Sequence, residues 1–589
     1  MPWVWRRWTV VCVLVAVARL AQAAVFQTTL DNGLTVLIEE NHISPVVSVN
    51  VFVRTGSIHE QEFLGSGLSH FFEHILHSGT TTTRSAADTQ AMLAAIGNQT
   101  NAYTTLDHTA YYIDTTTAHW RTAIELLADW MLHSTINEQE FTREKGVVQR
   151  ELEQGLDDPQ QVLAQLAMAT RFQVHPARYP VIGYKELVQD VSRQALVTYY
   201  QRMYAPNNMI LVVVGDIESA AVLAHVRQTF GAGQRRTIPA LSLPQEPSQV
   251  GKRTAEKVMP IAQAHMSLSF RTIPLTHPDL YALDALSDIL SNGDSARLVQ
   301  RLKYAQQLVY DIQTSSWTPP YTEGNFTVWA TLEADKLLAA EDAMVQELYR
   351  LRDELVSPQE LARAKKQKSA EHIFARETAQ ERARMLGLDM LSAYDPTFSD
   401  AYVQRIQQVT AEDIRQVARR YFHDDTLVRA VVRPAGTDAA ALPVGAAAPA
   451  SAVVKKVLAN GMTLLLKRNS ALPTVAMQAY FKAGVRVETP ETNGLSQLTA
   501  TMLTKGTTSR STEEIAATFD AMGGTLTSSS GHNSLFVTAT CLREDFAGTC
   551  RSSRVPSRRG FRDNPAAPDR GQFFRRRSHC RGSLPPQYK

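Results

Sequence analysis

Leu30-Asp31-Asn32-Gly33-Leu34-Thr35-Val36-Leu37 returns, little changed, as Leu458-Ala459-Asn460-Gly461-Met462-Thr463-Leu464-Leu465. The offset is 428 residues. Gly67-Leu68-Ser69 then matches Gly494-Leu495-Ser496, Gly79-Thr80 matches Gly506-Thr507, and Gly97 matches Gly524, now at an offset of 427. A near-constant offset held over about seventy residues marks a duplicated structural unit rather than chance. Each copy opens with a strand-like run behind an Asn-Gly turn signal. In the first copy, Thr35 to Glu39 and Val46 to Val53 alternate as strands. Helices are expected from about Ser66 and over Ala86 to Ala95, the second stopping at Gly97. Asn101 to Thr116 reads as a strand pair, and one long helical stretch is expected over Arg121 to Leu156. Strands and helices alternating in this way predict an α+β fold built of repeated α/β sandwich domains.

Working outward, residues 24–236 form the first domain and 237–436 a second. The second has strands expected near Gln263–Phe270 and Gly324–Thr331, and helices over 278–291, 335–355 and 358–392. An Ala/Pro-rich linker covers 437–452, and a partial repeat of the first domain covers 453–548. Residues 549–589 are Arg-rich and aperiodic, and begin where the first copy continues into its long helix. An out-of-frame reading of a longer gene explains this tail; a basic tail for an acidic surface is the alternative.

At 589 residues the chain needs several domains. Its net charge of +2 conceals a split: residues 1–23 carry +3, residues 549–589 carry +9, and the body therefore carries −10. An acidic body argues against nucleic acid as a partner. Arg6-Arg7, the apolar run Trp8 to Ala18 and Ala21-Gln22-Ala23 read as a signal peptide cut near Ala23, which places the protein in the periplasm or outside the cell. That run is short for a membrane span, so no stable membrane anchor is expected; an uncleaved signal is the alternative. Only Cys541 lies in the body, so disulfides do not hold it together.

His70-Phe71-Phe72-Glu73-His74 lies inside the first helical pattern. Residues i and i+4 share a helical face, so both imidazoles point one way with Glu73 beside them. Two such imidazoles can hold Zn²⁺, which needs a third protein ligand and keeps one position for water. Glu73 then has the place of the group that takes a proton from that water and passes it on. In the second copy the three positions are Gln497, Ala500 and Thr501. The scaffold therefore persists without them, which marks them as chemistry rather than architecture. His77 near this face reads as a surface or supporting residue rather than a ligand.

Gly67 to Thr80, with His-Phe-Phe-Glu-His inside it, closely resembles the pitrilysin/insulinase family of inverted zinc peptidases. The resemblance covers about 24–548. It implies one zinc per chain and a Glu ligand separated from the second His by 76 intervening residues, which is Glu151. Glu153 is the local competitor. It also implies that Glu144, two turns before Glu151, supports the catalytic set around Glu73. Asn101-Ala102-Tyr103-Thr104 resembles the family's edge strand, against which an extended peptide or unfolded protein docks. Ser295-Ala296-Arg297-Leu298 and Leu308-Val309-Tyr310 match the non-catalytic domain, and Lys303 stands where members often carry an Arg; Lys303 and Tyr310 are thus implied as substrate contacts. The implied architecture is half of a clam-like chamber, with pairing of two chains into a homodimer open. The expected activity is a zinc-dependent endopeptidase. The alternative is a non-catalytic peptide-binding homologue or an inactive truncated product.

Overall fold

A computed structural model describes residues 25–435, apart from 78 and 375, and with gaps 454–546. The expected signal, the 437–452 linker and the 549–589 tail lie outside the described residues. Two compact units separate between residues 443 and 444. No helix among the described residues is long and apolar enough to cross a membrane.

The first sheet contains β1 (Phe26–Thr29), β2 (Thr35–Glu40), β3 (Val46–Val53), β4 (Gln99–Thr104), β5 (Thr109–Thr116) and β6 (Met209–Gly215). Their order is β1-β2-β6-β3-β5-β4. Only β2 and β6 run parallel; the remaining neighbours are antiparallel. The turn into β2 is fixed at Gly33, whose φ is 89°. Asn32 Nδ2 donates to the carbonyls of Phe230 and Gly233, tying that turn to a distant loop.

One face of this sheet carries the main core. It is covered by α1 (Leu68–Leu76), α2 (Ala86–Ala95), α3 (Trp120–His133) and α4 (Glu138–Asp157). After α5 (Pro159–Arg171) come α6 (Lys185–Asp190), α7 (Arg193–Met203) and α8 (Ser219–Thr229). Phe71, Phe72, Leu127, Trp130, Tyr199 and Tyr204 are buried together there. The expected single helix over Arg121 to Leu156 is therefore two. Ile136 adopts φ 47°, and the Asn137 side chain accepts the Glu140 N–H at 2.8 Å, capping a new helix. Apolar periodicity continues across the break, which is why pattern alone runs through it.

The second sheet contains β7 (Arg253–Met259), β8 (Ala264–Arg271), β9 (Asp311–Trp317), β10 (Asn325–Leu332) and β11 (Leu427–Pro434). Its order, β7-β11-β8-β10-β9, with β7 and β11 parallel, repeats the plan of β2-β6-β3-β5-β4. The helices are α9 (Leu280–Ser291), α10 (Leu337–Arg350), α11 (Pro358–Phe374), α12 (Ala379–Ser392), α13 (Phe398–Gln408) and α14 (Ala411–Tyr421). The helix expected over 358–392 is two helices, because Thr378 caps α12 by accepting the Glu381 N–H at 3.1 Å.

The two domains exchange helices. α12 leaves its own domain to cover the outer face of the first sheet, where Ala383, Leu386 and Met390 pack on Phe52, Ile210 and Val212. Reciprocally, α5 lays Val162, Leu163 and Ala167 on Met259, Ala430 and Val432 of the second sheet. Arg382 on α12 donates to both carboxylate oxygens of Glu39 on β2 at 2.7–3.0 Å, and both side chains are buried. Gly387 is required at this contact, since a Cβ there would lie 2.0 Å from the Phe52 ring.

In the other unit, β12 (Val454–Val457) pairs with β13 (Thr463–Leu466). Strands β14 (Thr474–Phe481), β15 (Thr525–Ser530) and β16 (Leu535–Leu542) form a sheet in the order β14-β16-β15, the plan of β3-β5-β4. The helix α15 (Leu495–Leu503) starts after left-handed Gly494, as α1 starts after left-handed Gly67. Glu488 accepts the Ser496 N–H at 2.6 Å, as Glu60 accepts the Ser69 N–H at 2.8 Å. The duplication visible in the sequence is thus carried down to the capping carboxylate.

Candidate active site

Helix α1 begins at Gly67, where φ is 66° and a Cβ would stand 2.1 Å from the Ile182 carbonyl. No other residue fits that start. Its apolar residues Leu68, Phe71, Phe72, Ile75 and Leu76 face the core, leaving His70, Glu73 and His74 on the opposite stripe. Helix α4 packs against α1 and presents Glu144 and Glu151 two turns apart. β4, at the end of the first sheet, flanks α1 on its other side.

Donor atoms of His70, His74 and Glu151 lie within 4.8 Å of one another, the one such His/Cys/acid cluster of metal-binding geometry among the described residues. Glu151 places one oxygen 3.7 Å from His70 Nε2 and the other 3.3 Å from His74 Nε2. Ligands bonded to a tetrahedral zinc at about 2.0–2.2 Å stand roughly 3.3–3.6 Å apart. The set therefore fits zinc in both donor chemistry and spacing. Glu144 Oε2 lies 3.7 Å from His74 Nδ1, on the side of the ring away from the cluster. Arg143 holds the other Glu144 oxygen at 2.9 Å. Glu153 faces elsewhere and pairs with Lys185 at 2.8 Å.

The electrostatics separate the two imidazoles. Burial, with the neighbouring His74, pushes the His70 imidazole down to about 3, so it stays neutral and able to donate a lone pair. Burial opposes charge on His74 as well, but Glu144, Glu73 and Glu151 outweigh it and raise its pKa. Burial raises Glu73 above the usual carboxylate range, against the opposing hydrogen bond from Thr104. That bond, Thr104 Oγ1 to Glu73 Oε2 at 2.9 Å, joins the edge strand to the acid. His77 hydrogen-bonds with Thr100 at 3.3 Å and packs edge-on to Trp130, consistent with a supporting role.

Asn101 and Ala102 sit in the middle of β4, where Asn101 Oδ1 accepts the Ala102 N–H at 2.9 Å. Lys303 and Tyr310 are not brought to this cluster. Their partners are Asp311 and Glu333, all within the second domain. Thr104, the partner of Glu73, carries only a local signal in the sequence: it falls at i+2 from Ala102, so both share one side of β4.

The chain is similar to known peptidases. The family model described as Insulinase (Peptidase family M16) matches residues 35–185 and again 463–550. The model described as Peptidase M16 inactive domain matches 190–368. An uncharacterized zinc protease of Bacillus subtilis is 27% identical over 409 residues, 69% of this chain and 98% of the relative. The mitochondrial-processing peptidase subunit beta of Rattus norvegicus is 28% identical over 420 residues, 69% of this chain and 84% of that protein. A protease of Helicobacter pylori has a solved structure with TM-score 0.65 and 25% identity, covering 70% of this chain and all of that one.

Proposed function

We propose that this chain, which belongs to the insulinase (M16) family of peptidases, is a zinc-dependent endopeptidase acting on peptides or unfolded polypeptides. The observation that carries the reading is the convergence of His70, His74 and Glu151 beside Glu73. His70, His74 and Glu151 would hold the metal. Zinc in that place supplies Lewis acidity and lowers the pKa of a water molecule from 15.7 to about 7.

The remaining work falls to the protein. Glu73 is buried and its carboxyl has an elevated proton affinity, so it can accept a proton from water and return it to the departing amine nitrogen. Thr104 fixes one Glu73 oxygen and leaves the other for the proton. β4 is the terminal strand of its sheet among the described residues, an edge on which an extended substrate would add as a strand, with Asn101 and Ala102 at its centre. Recognition by backbone suits substrates without tertiary structure. The Arg6-Arg7 start and Ala21-Gln22-Ala23 support export to the periplasm or beyond.

The test is cleavage of an unstructured, internally quenched peptide by the full chain and by Glu73→Gln. Cleavage by the first and none by the second supports the reading. Equal cleavage by both removes Glu73 from the chemistry, and binding without cleavage by either leaves a peptide-binding homologue.

A further inference from the structure

Thr104, which holds Glu73, is itself held. Its hydroxyl stands 3.5 Å from that of Thr109, its partner across the β4–β5 pair. Thr109 is fully buried, donates to the Thr55 carbonyl at 2.9 Å and lies against the Tyr204 hydroxyl. Tyr204, just beyond α7, hydrogen-bonds in turn with Tyr111 of β5 at 2.9 Å. Its ring packs edge-on to Phe72, the residue before Glu73, with centroids 4.5 Å apart. A line of hydroxyls therefore runs from Glu73 through Thr104 and Thr109 to Tyr204 and Tyr111 in the core. Burial, above all, raises both phenols well above their ordinary range, and the Glu73 charge adds to the effect, so both stay protonated. Each hydroxyl then has a proton to give toward the carboxylate, and donors in a chain polarise one another.

Packing alone does not ask for these hydroxyls. Phenylalanine fills nearly the space of tyrosine, and valine nearly that of threonine, without burying a polar group. The partial repeat shows the same hairpin without the chemistry. β15 and β16 have six and eight residues, as β4 and β5 have. Ser530 pairs with Leu535 as Thr104 pairs with Thr109. In that copy Glu73, Thr109 and Tyr111 are replaced by Ala500, Leu535 and Val537, all buried. The Ser530 hydroxyl, in the place of Thr104, is buried with no hydrogen-bond partner. Glu60 and Ser69, by contrast, are kept as Glu488 and Ser496, with the same capping bond. The hydroxyl line is thus lost together with the acid it leads to, while the cap that folding needs is retained.

We propose that Tyr204 is a positioning residue for Glu73, acting through Thr109 and Thr104 to hold the carboxyl in one orientation beside the metal ligands. The inference rests on the reading of Glu73 as the group that moves the proton. It extends the machinery from the edge strand to a hydroxyl inside the core.

The experiment measures kcat, KM and zinc content for the full chain, for Tyr204→Phe, for Thr104→Val and for the double variant, on an unstructured quenched peptide. Tyr204→Phe should lower kcat about fivefold and leave KM and zinc content unchanged. In the chain already carrying Thr104→Val, it should cost less than about twofold more, because the route to Glu73 is cut. An unchanged kcat, a rise in KM in its place, loss of zinc, or the same loss again in the double variant overturns the proposal. Thr109→Val should repeat the Tyr204→Phe result and Thr109→Ser should not; this pair decides if Tyr204→Phe folds poorly. An unsubstituted chain that hydrolyses nothing sinks the peptidase reading, and denaturant midpoints then decide the positioning. The midpoint shifts of Tyr204→Phe and Glu73→Ala should fail to add in the double variant; additive shifts overturn the proposal.

Discussion

Thr104 Oγ1 donates to Glu73 Oε2 at 2.9 Å, so the strand expected to receive substrate also holds the group expected to move the proton. Hydrogen bonds to charged groups contribute about 1.5–3 kcal/mol. Thr104→Val should therefore lower kcat by roughly one to two orders of magnitude while zinc content stays unchanged. Thr104→Ser should recover most of the rate. Metal loss in Thr104→Val would show that the strand supports the ligands instead.

Glu151 and Glu153 make opposite predictions. Glu151 faces both imidazoles, whereas Glu153 is paired with Lys185. Glu151→Gln should release zinc into a competing chelator, and Glu153→Gln should leave affinity unchanged. Glu144→Gln removes the contact behind His74; partners of that kind are worth about 10–100-fold in metal affinity or activity.

The buried pair between Arg382 and Glu39 joins a helix of one domain to a strand of the other. Breaking a buried pair from one side leaves an uncompensated charge and costs about 3–5 kcal/mol. Arg382→Met should lower the denaturant midpoint accordingly. Reversing the loss with Glu39→Gln in the same chain would confirm that the isolated carboxylate is the cause.

His59 sets a pH dependence outside the active site. Burial, above all, brings its imidazole down to about 4, and its Nδ1 accepts the Gly56 N–H at 3.2 Å. A folded pKa below the ordinary 6.5 means the unfolded chain takes up the proton first. The stability it contributes is complete above pH 6.5 and falls away as pH drops toward 4, by at most about 1.4 kcal/mol per pH unit. His59→Asn, which keeps an acceptor for Gly56, should flatten unfolding free energy across that window. An unchanged slope would assign the dependence to other groups.

How far the sequence reaches depends on how local each feature is. The 428-residue repeat and the His70–His74 stripe are readable because spacing alone encodes them. Glu151 is not reachable from spacing without a family resemblance, since Glu153 is its equal until Lys185 is seen to hold it. The helix break near Asn137 is hidden by apolar residues that continue across it. The exchange of α5 and α12 is hidden for a different reason: Val162 and Leu386 read as ordinary amphipathic positions, and nothing in a helix says which sheet it will cover. The kinship of the two domains is likewise written in strand order rather than in shared residues.

The most direct measurement is zinc content, by elemental analysis of the purified protein, for the unsubstituted chain, for His70→Ala with His74→Ala, and for Glu73→Gln. One zinc per chain, lost in the double histidine variant and kept in Glu73→Gln, is the predicted result. A folded chain without zinc, or zinc undiminished after both histidines are removed, would contradict the site.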